Sequence, residues 1–256
     1  MIDYVTVEQM PAIIHLRPAW DDAAVPILMT ANDYTIAQIS VILRALLHYR
    51  RMRSRYDIVI AHNNVSEQNM AVIQEMVESE ADVLLRFSKV EAVRNNRYFR
   101  FDRRFVETDL LKIFCPMMLR YYPKMILLKE TCIPQFDLAA VSQQYSFENC
   151  LGVMPQAPGL QFFNLELCRA ELALNDFIVA VKNRKNGSVA SVQQEIFHKR
   201  MQLMDAGGLR QLKAIQYWDQ WPWERPDCPE GDIFWRFARK TPYYEILRLR
   251  LDLKGS

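Results

Sequence analysis

The sequence is poor in glycine, with seven among 256 residues. None falls in a Gly-rich loop of the kind that cradles phosphate groups. Cysteine is sparse too: Cys115, Cys132, Cys150, Cys168 and Cys228 are widely spaced, odd in number and form no CxxC pair. That usage excludes a disulfide frame or a thiolate zinc site and reads as reduced thiols in a cytoplasmic protein. The four histidines, His15, His48, His62 and His198, do not fall at metal-ligand spacing, and no Ser-His-Asp order stands out. Charge of one sign is not in excess: 32 basic residues face 30 acidic ones, for a net charge of +2. A nucleic-acid-binding protein would show a basic surplus or patch, so that class is set aside. No apolar run approaches the roughly 20 residues that span a bilayer, and the first 20 residues, with acids and an early proline, do not read as a signal peptide.

What is present is an alternation of apolar runs and helical patterns. Residues 1–24, with prolines at 11 and 18, read as an N-terminal extension packed on the domain that follows. VPILMT (25–30) is a short buried strand. Residues 34–49 place Ile36, Ile39, Ile42 or Leu43, and Leu46 on one helical face. YDIVIAH (56–62) is a second strand, Ser66 caps a following helix with Glu67 in its first turn, and VLLRFSKV (83–90) is a third strand. This order predicts a parallel sheet with helices on its faces, with ligands beyond the carboxyl ends of the strands. Further on, the pattern predicts a helix over 110–122, strands over 124–130 and 159–165, a helix from about Glu166 and a helix over 191–204. The last third is dense in Trp and Pro. Thr241-Pro242 reads as the start of a final helix, one that packs on its own domain or lies against a membrane surface or a partner. The Arg run at 50–55 reads as solvated charge at a helix C-terminus. With no linker or repeat, residues 25–256 read as one domain.

Several of these segments, in this order, carry a resemblance. PILMTANDY, YDIVIAHNNVSEQN, LLKIFCPMMLRYYPKMILL, PGLQFFNLELCR, QQEIFHK and above all YWDQWPWERPDCPEGDIFWRFARKTPYYEIL resemble bacterial family 8 glycosyltransferases over roughly residues 25–247. The resemblance implies a GT-A-type α/β fold: a mostly parallel central sheet flanked by helices, a Rossmann-like nucleotide-sugar-binding half and a helical Trp/Pro-rich C-terminal segment. It implies a nucleotide contact at Thr30, Ala31, Asn32, Asp33 and Tyr34, with Tyr34 as the aromatic that packs on the base and Ala31 where the family carries an Asp. It also implies a sugar pocket at Ala157, Gly159 and Trp221, with Ala157 replacing an Asn and Trp221 a Lys.

The family's metal ligands, an Asp-x-Asp at a strand end and a distant His, correspond here to Lys129, Thr131 and Gln216. Hard cations require carboxylate oxygens, so no metal cofactor is expected. On an extended strand, Glu130 would point away from the face of its neighbours. Lys129 has two readings: a fixed ammonium that replaces the metal beside a diphosphate, with Lys112 nearby, or a lysine bridged to Glu130 or Glu195 in a dead pocket. Gln194 and Glu195, in the Gln193-Gln194-Glu195 stretch that stands for an acidic motif, are candidates for contacts with the sugar and the acceptor. Trp218, Trp221 and Trp223 read as a sugar platform or as core.

Three functions therefore stand open: a pseudo-glycosyltransferase of glycan biosynthesis that binds a nucleotide-sugar or a protein partner, an active metal-independent transferase using a UDP-sugar donor with Lys129 and Lys112, and a non-catalytic subunit of an active homologue, or a homo-oligomer.

Overall fold

The computed structural model describes residues 14–20, 24–90, 105–144, 148–183, 188–204, 213–217 and 221–255. Most of the N-terminal extension and Trp218 lie outside these residues. A seven-stranded sheet runs in the order β3-β2-β1-β4-β7-β6-β8. Strands β1 (Ala24–Ala31), β2 (Arg55–His62), β3 (Val83–Lys89) and β4 (Lys124–Leu128) are parallel neighbours, as the alternation of strands and helices predicts. Strand β7 (Ala157–Asn164) runs antiparallel to β4, β6 (Leu151–Met154) runs antiparallel to β7, and β8 (Met201–Leu203) lies parallel to β6. A separate pair joins β5 (Cys132–Pro134) to β9 (Ala214–Gln216). The sheet is thus mixed and mostly parallel.

Strands β1 and β2 are buried along nearly their whole length, as continuous β-branched and aliphatic runs require when both faces are covered. Period-two alternation sends Val25, Ile27, Met29, Tyr56, Ile58, Ile60, Ile126 and Leu128 into one core. That core is shared with α1 (Ile36–Tyr49), α8 (Gly231–Ala238) and α9 (Tyr244–Gly255). Leu28, Val59, Ala61, Met125 and Leu127 point into the other, with α3 (Glu107–Met118), α5 (Leu165–Glu171), α6 (Leu174–Asn183) and α7 (Val189–Phe197). Ser66 caps α2 (Glu67–Glu75), its side chain accepting from the Asn69 N–H.

Four details depart from the sequence reading. Helix α3 ends at Met118 rather than Tyr122. Helix α7 is capped by Ser188, one turn before Ser191, and stops at Phe197 so that Met201–Leu203 can pair with β6. Thr241 does not cap α9: its hydroxyl donates 2.9 Å back to the Ala238 carbonyl and closes α8, and α9 begins at Tyr244. Within the Arg run only part is solvated. Arg50 folds back onto Glu80 at 2.6 Å with its side chain 11% exposed, while Arg51 and Arg53 are exposed. Of the extension, residues 14–20 are tied down by Ile14, which donates to Met118, and by Ala19, which donates to the buried Asp57 carboxylate.

Candidate functional site

The carboxyl ends of β1, β2 and β4 open on one edge of the sheet, where α/β proteins place their ligands. On the β1 side, Thr30 and Ala31 are buried, and the Thr30 hydroxyl oxygen has no partner. Asn32 builds the turn: its Oδ1 accepts from the N–H groups of Tyr34 (2.9 Å) and Thr35 (2.8 Å), an Asx turn that launches α1. Asp33 reaches across to the start of α2, accepting from Ser66 N–H at 2.9 Å and Asn69 Nδ2 at 2.8 Å. The Ser66 backbone bond foremost, and then Asn69, hold its carboxyl below the usual range. Tyr34 stands out from the turn, 52% exposed. Nearby, His62 ends β2 as a buried ring that accepts the Val65 N–H on Nδ1. Burial foremost, and then the charge of Lys89, push its pKa down, so it is a neutral structural histidine.

The β4 side is built differently. Strand β4 ends at Leu128, and the chain turns at once, with Cys132 N–H donating 3.1 Å to the Lys129 carbonyl. Thr131 and Gln216, far apart in sequence, meet there: Gln216 Nε2 donates to Thr131 Oγ1 at 2.9 Å and to the carbonyls of Thr131 (3.3 Å) and Tyr217 (3.0 Å). Gln216 Oε1 accepts the Gly159 N–H at 2.8 Å, and the Gly159 carbonyl accepts from Lys129 N–H at 2.9 Å. Gly159 is required here by space. A Cβ would lie 2.4 Å from Gln216 Oε1 and 2.8 Å from Cys132 Cβ.

Charge gathers on the α3 flank of that turn. Glu130 turns to Lys112 on α3, whereas Thr131 turns to Gln216. Glu130 sits in the turn beyond the strand, where alternation no longer holds, and its Oε1 accepts 2.6 Å from Lys112 Nζ. Lys112 also lies 3.8 Å from Asp109. The ion pair of Glu130 is therefore made with Lys112 and not with Lys129. Among the described residues, Lys129 has no ion pair within 4 Å. Its amine is pushed down to about 8, by desolvation first and by the charge of Lys112 second. Glu130 Oε2 is buried without a hydrogen-bond partner. Burial alone would raise the Glu130 carboxyl, but the charge and hydrogen bond of Lys112 outweigh it and hold it low.

The remaining candidates fall around this turn. Pro116 lies inside α3 and cannot donate to the Lys112 carbonyl four residues back. That carbonyl instead accepts from Gln193 Nε2 at 3.3 Å. Gln193 also pairs reciprocally with Gln161 of β7, at 2.8 and 3.0 Å. Gln194 is exposed on α7 and Glu195 is half-buried. Ala157 is wholly buried and offers no polar group. Trp221 stacks on Trp223 with ring centroids 5.7 Å apart. Trp223 is core, and the Trp221 indole N–H is buried without a partner. Sequence reasoning missed Arg250, Asn69 and Tyr243, which surround the β1 turn from distant parts of the chain and carry no local motif. It also missed Gln161, although a polar residue inside an apolar strand is a readable sign of a buried network.

No family model matches the chain, and no curated protein sequence matches it. Solved structures do. The apo structure of WbbM, a bifunctional glycosyltransferase, is 17% identical, covering 92% of this chain and 53% of its own, with a TM-score of 0.72. The galactosyltransferase LgtC in complex with donor and acceptor sugar analogs is 13% identical, covering 89% of this chain and 100% of its own, with a TM-score of 0.69. The glycosyltransferase GlyE of Streptococcus pneumoniae TIGR4 is 14% identical over 91% of this chain and 64% of its own, with a TM-score of 0.65. The fold is that of the GT-A glycosyltransferases. This chain thus spans about half the length of the WbbM chain and the whole of LgtC. In the GT-A frame, positions 129, 131 and 216 converge: Thr131 and Gln216 touch, and Lys129 joins them through the Gly159 peptide. Among the described residues, no three His, Cys, Asp or Glu side chains are grouped so as to hold a metal ion, and no helix is long and apolar enough to cross a membrane.

Proposed function

We propose that this protein is a family 8-like glycosyltransferase homologue of glycan biosynthesis that keeps the nucleotide-sugar scaffold and does not carry out metal-dependent glycosyl transfer. The observation that carries this reading is the Gln216 amide. Where a metal ligand would offer a lone pair, Gln216 turns its NH2 group toward Thr131 and gives its oxygen to the Gly159 N–H. Both ends of the amide are satisfied internally. The neighbouring Lys129 brings a positive charge to the same turn, and a divalent cation beside an ammonium would be repelled. These residues do not suit a metal, so no step is routed through one. The turn at Asn32–Tyr34, by contrast, leaves Tyr34 open to stack a base and suits nucleotide binding. Titration with UDP-sugars, with and without manganese, tests the reading. Binding independent of manganese, without turnover, is expected; tight manganese-dependent binding or turnover would sink it.

One observation favours a second reading. Lys129 lacks an ion-pair partner within 4 Å among the described residues and is half-buried at the strand end, as an ammonium held ready for a leaving diphosphate would be. In that reading the protein is a metal-independent transferase, with Lys129 beside the diphosphate and Lys112 behind it. Turnover that survives a chelator and collapses in Lys129→Ala is its signature; unchanged turnover in that variant refutes it.

A further inference from the structure

The C-terminal segment grips the turn at the end of β1 at two points, from α9 and from the residue just before it. Arg250 sets its guanidinium carbon 4.2 Å from the Tyr34 ring centroid and donates 2.8 Å to the Tyr34 carbonyl. Just before the helix, the Tyr243 hydroxyl donates 2.8 Å to Asn69 Oδ1, and Asn69 Nδ2 donates 2.8 Å to Asp33 Oδ1. The buried Gln38 joins the first contact. Oriented to suit its neighbours, its oxygen accepts from Arg250 (3.1 Å) and from the Trp223 indole (3.2 Å), while its nitrogen donates to the carbonyls of Tyr34 and Thr35. Both solvent-facing residues of the turn, Asp33 and Tyr34, are therefore held by side chains 36 or more positions away, and the contacts lead to Arg250 of α9 in one case and to Tyr243, just before α9, in the other. The guanidinium covers one face of the Tyr34 ring, yet the residue is still about half exposed, so the ring is fixed and open at once.

We infer that Arg250 is a positioning residue for the nucleotide base: it holds Tyr34 in the pose in which the open ring face stacks the base, and α9 is thereby the outer wall of the nucleotide site. This rests on the proposed reading that the Asn32–Tyr34 turn binds a nucleotide. The physical reason is preorganisation. An exposed tyrosine that is already fixed does not have to be ordered by its ligand, and affinity gains what that ordering would cost. A guanidinium suits the task because it can lie flat on the ring and donate in its own plane to the carbonyl, which a single ammonium does less well.

The test is UDP binding to the full chain by calorimetry, in a cycle of four proteins: wild type, Arg250→Gln, Tyr34→Ala and the double variant. Arg250→Gln is expected to weaken UDP binding roughly five- to tenfold, the scale of a lost cation–π contact and hydrogen bond. In the Tyr34→Ala background the same substitution is expected to cost nothing further, because the ring it positions is gone. Arg250→Lys recovers part of the loss. A merely structural role for Arg250 would lower affinity equally in both backgrounds, and that result, or unchanged UDP affinity in Arg250→Gln, overturns this inference while the nucleotide reading stands. Absence of UDP binding by the wild type overturns both.

Discussion

The two sides of the sheet's carboxyl edge, at β1 and at β4, are held together in opposite ways. On the β1 side, side chains are fixed from behind and left open in front: Asp33 and Tyr34 are gripped by Asn69 and Arg250 yet remain at the surface. On the β4 side, the groups satisfy one another. Gln216, Thr131 and the Gly159 peptide close a ring of hydrogen bonds, and Lys112 neutralises Glu130. The first arrangement is one that a ligand can complete. The second is already complete, apart from Lys129 and one oxygen of Glu130. On the function proposed above, a site keeps its fold while internal bonding replaces its chemistry, provided that the replacements satisfy most of the polar groups that the ligands would have left.

The largest way to break this contrast is to remove the internal partner on the β4 side. Lys112→Met strands the Glu130 carboxylate, one oxygen of which already lacks a partner. Breaking a buried pair from one side costs about 3–5 kcal/mol, measurable as a shift in the urea midpoint. The Lys112→Met/Glu130→Met double variant should recover most of that. The pH dependence follows from the sign. The Glu130 pKa is held below its ordinary 4.5 in the folded protein, so the stabilisation is present above that value and is lost as pH falls through the folded pKa. In Lys112→Met the burial that raises the carboxyl is opposed only by a backbone hydrogen bond and the charge of Lys129, so the deficit relative to wild type should shrink as the solution is acidified through pH 4.5. A deficit that does not change with pH would mean that packing around Lys112, not its charge, holds the turn.

Gly159→Ala comes next. The added methyl meets Gln216 Oε1 and Cys132 Cβ well inside contact distance, and overpacking of this kind costs about 1–3 kcal/mol. The cost should fall in a Gln216→Ala background, since the nearest clashing atom is then absent. Equal costs in the two backgrounds would show that Gln216 is not what fills the space beside Gly159.

These residues also show what was legible beforehand. The strands and main helices were readable because Val, Ile and Leu runs with period two or 3.6 are properties of neighbouring residues. The convergence of positions 129, 131 and 216 was readable only through the family resemblance. The partner of Glu130 was not, because β4 ends at Leu128 and Glu130 stands two residues beyond it in a turn, where Lys112 of α3 meets it. Nor was the true role of Gln193, although Pro116 announces it: a proline within a helix frees the carbonyl four residues earlier, and Lys112 O accordingly finds a side-chain donor. Arg250 and Tyr34, 216 positions apart, carry no sequence signal for their contact, since a cation above a ring is made by tertiary packing alone.

A smaller effect sharpens the contrast on the ligand side. UDP added to isotope-labelled protein should shift the amide signals of Asn32, Asp33 and Tyr34, and should leave the side-chain NH2 of Gln216 where it is. Manganese added with the nucleotide should not broaden the Gln216 signal. Broadening there would mean that the closed half opens to a metal after all.

A last effect concerns Lys129, which has no ion pair within 4 Å among the described residues. Its folded pKa is about 8 against an ordinary 10.5. Between those values the unfolded chain binds the proton and the folded chain does not, so stability rises with pH across that window. Wild type should therefore gain stability between about pH 8 and pH 10.5, and Lys129→Met should lose that gain and be the more stable of the two at neutral pH. A diphosphate seated beside the amine would favour the charged form and lift its pKa again. Saturating UDP should then erase the rise if its phosphates reach Lys129, and leave it intact if the nucleotide engages only the β1 turn. The pH profile with and without UDP thus separates a cleft with one working half from a cleft in which the lysine has taken over the place of the metal.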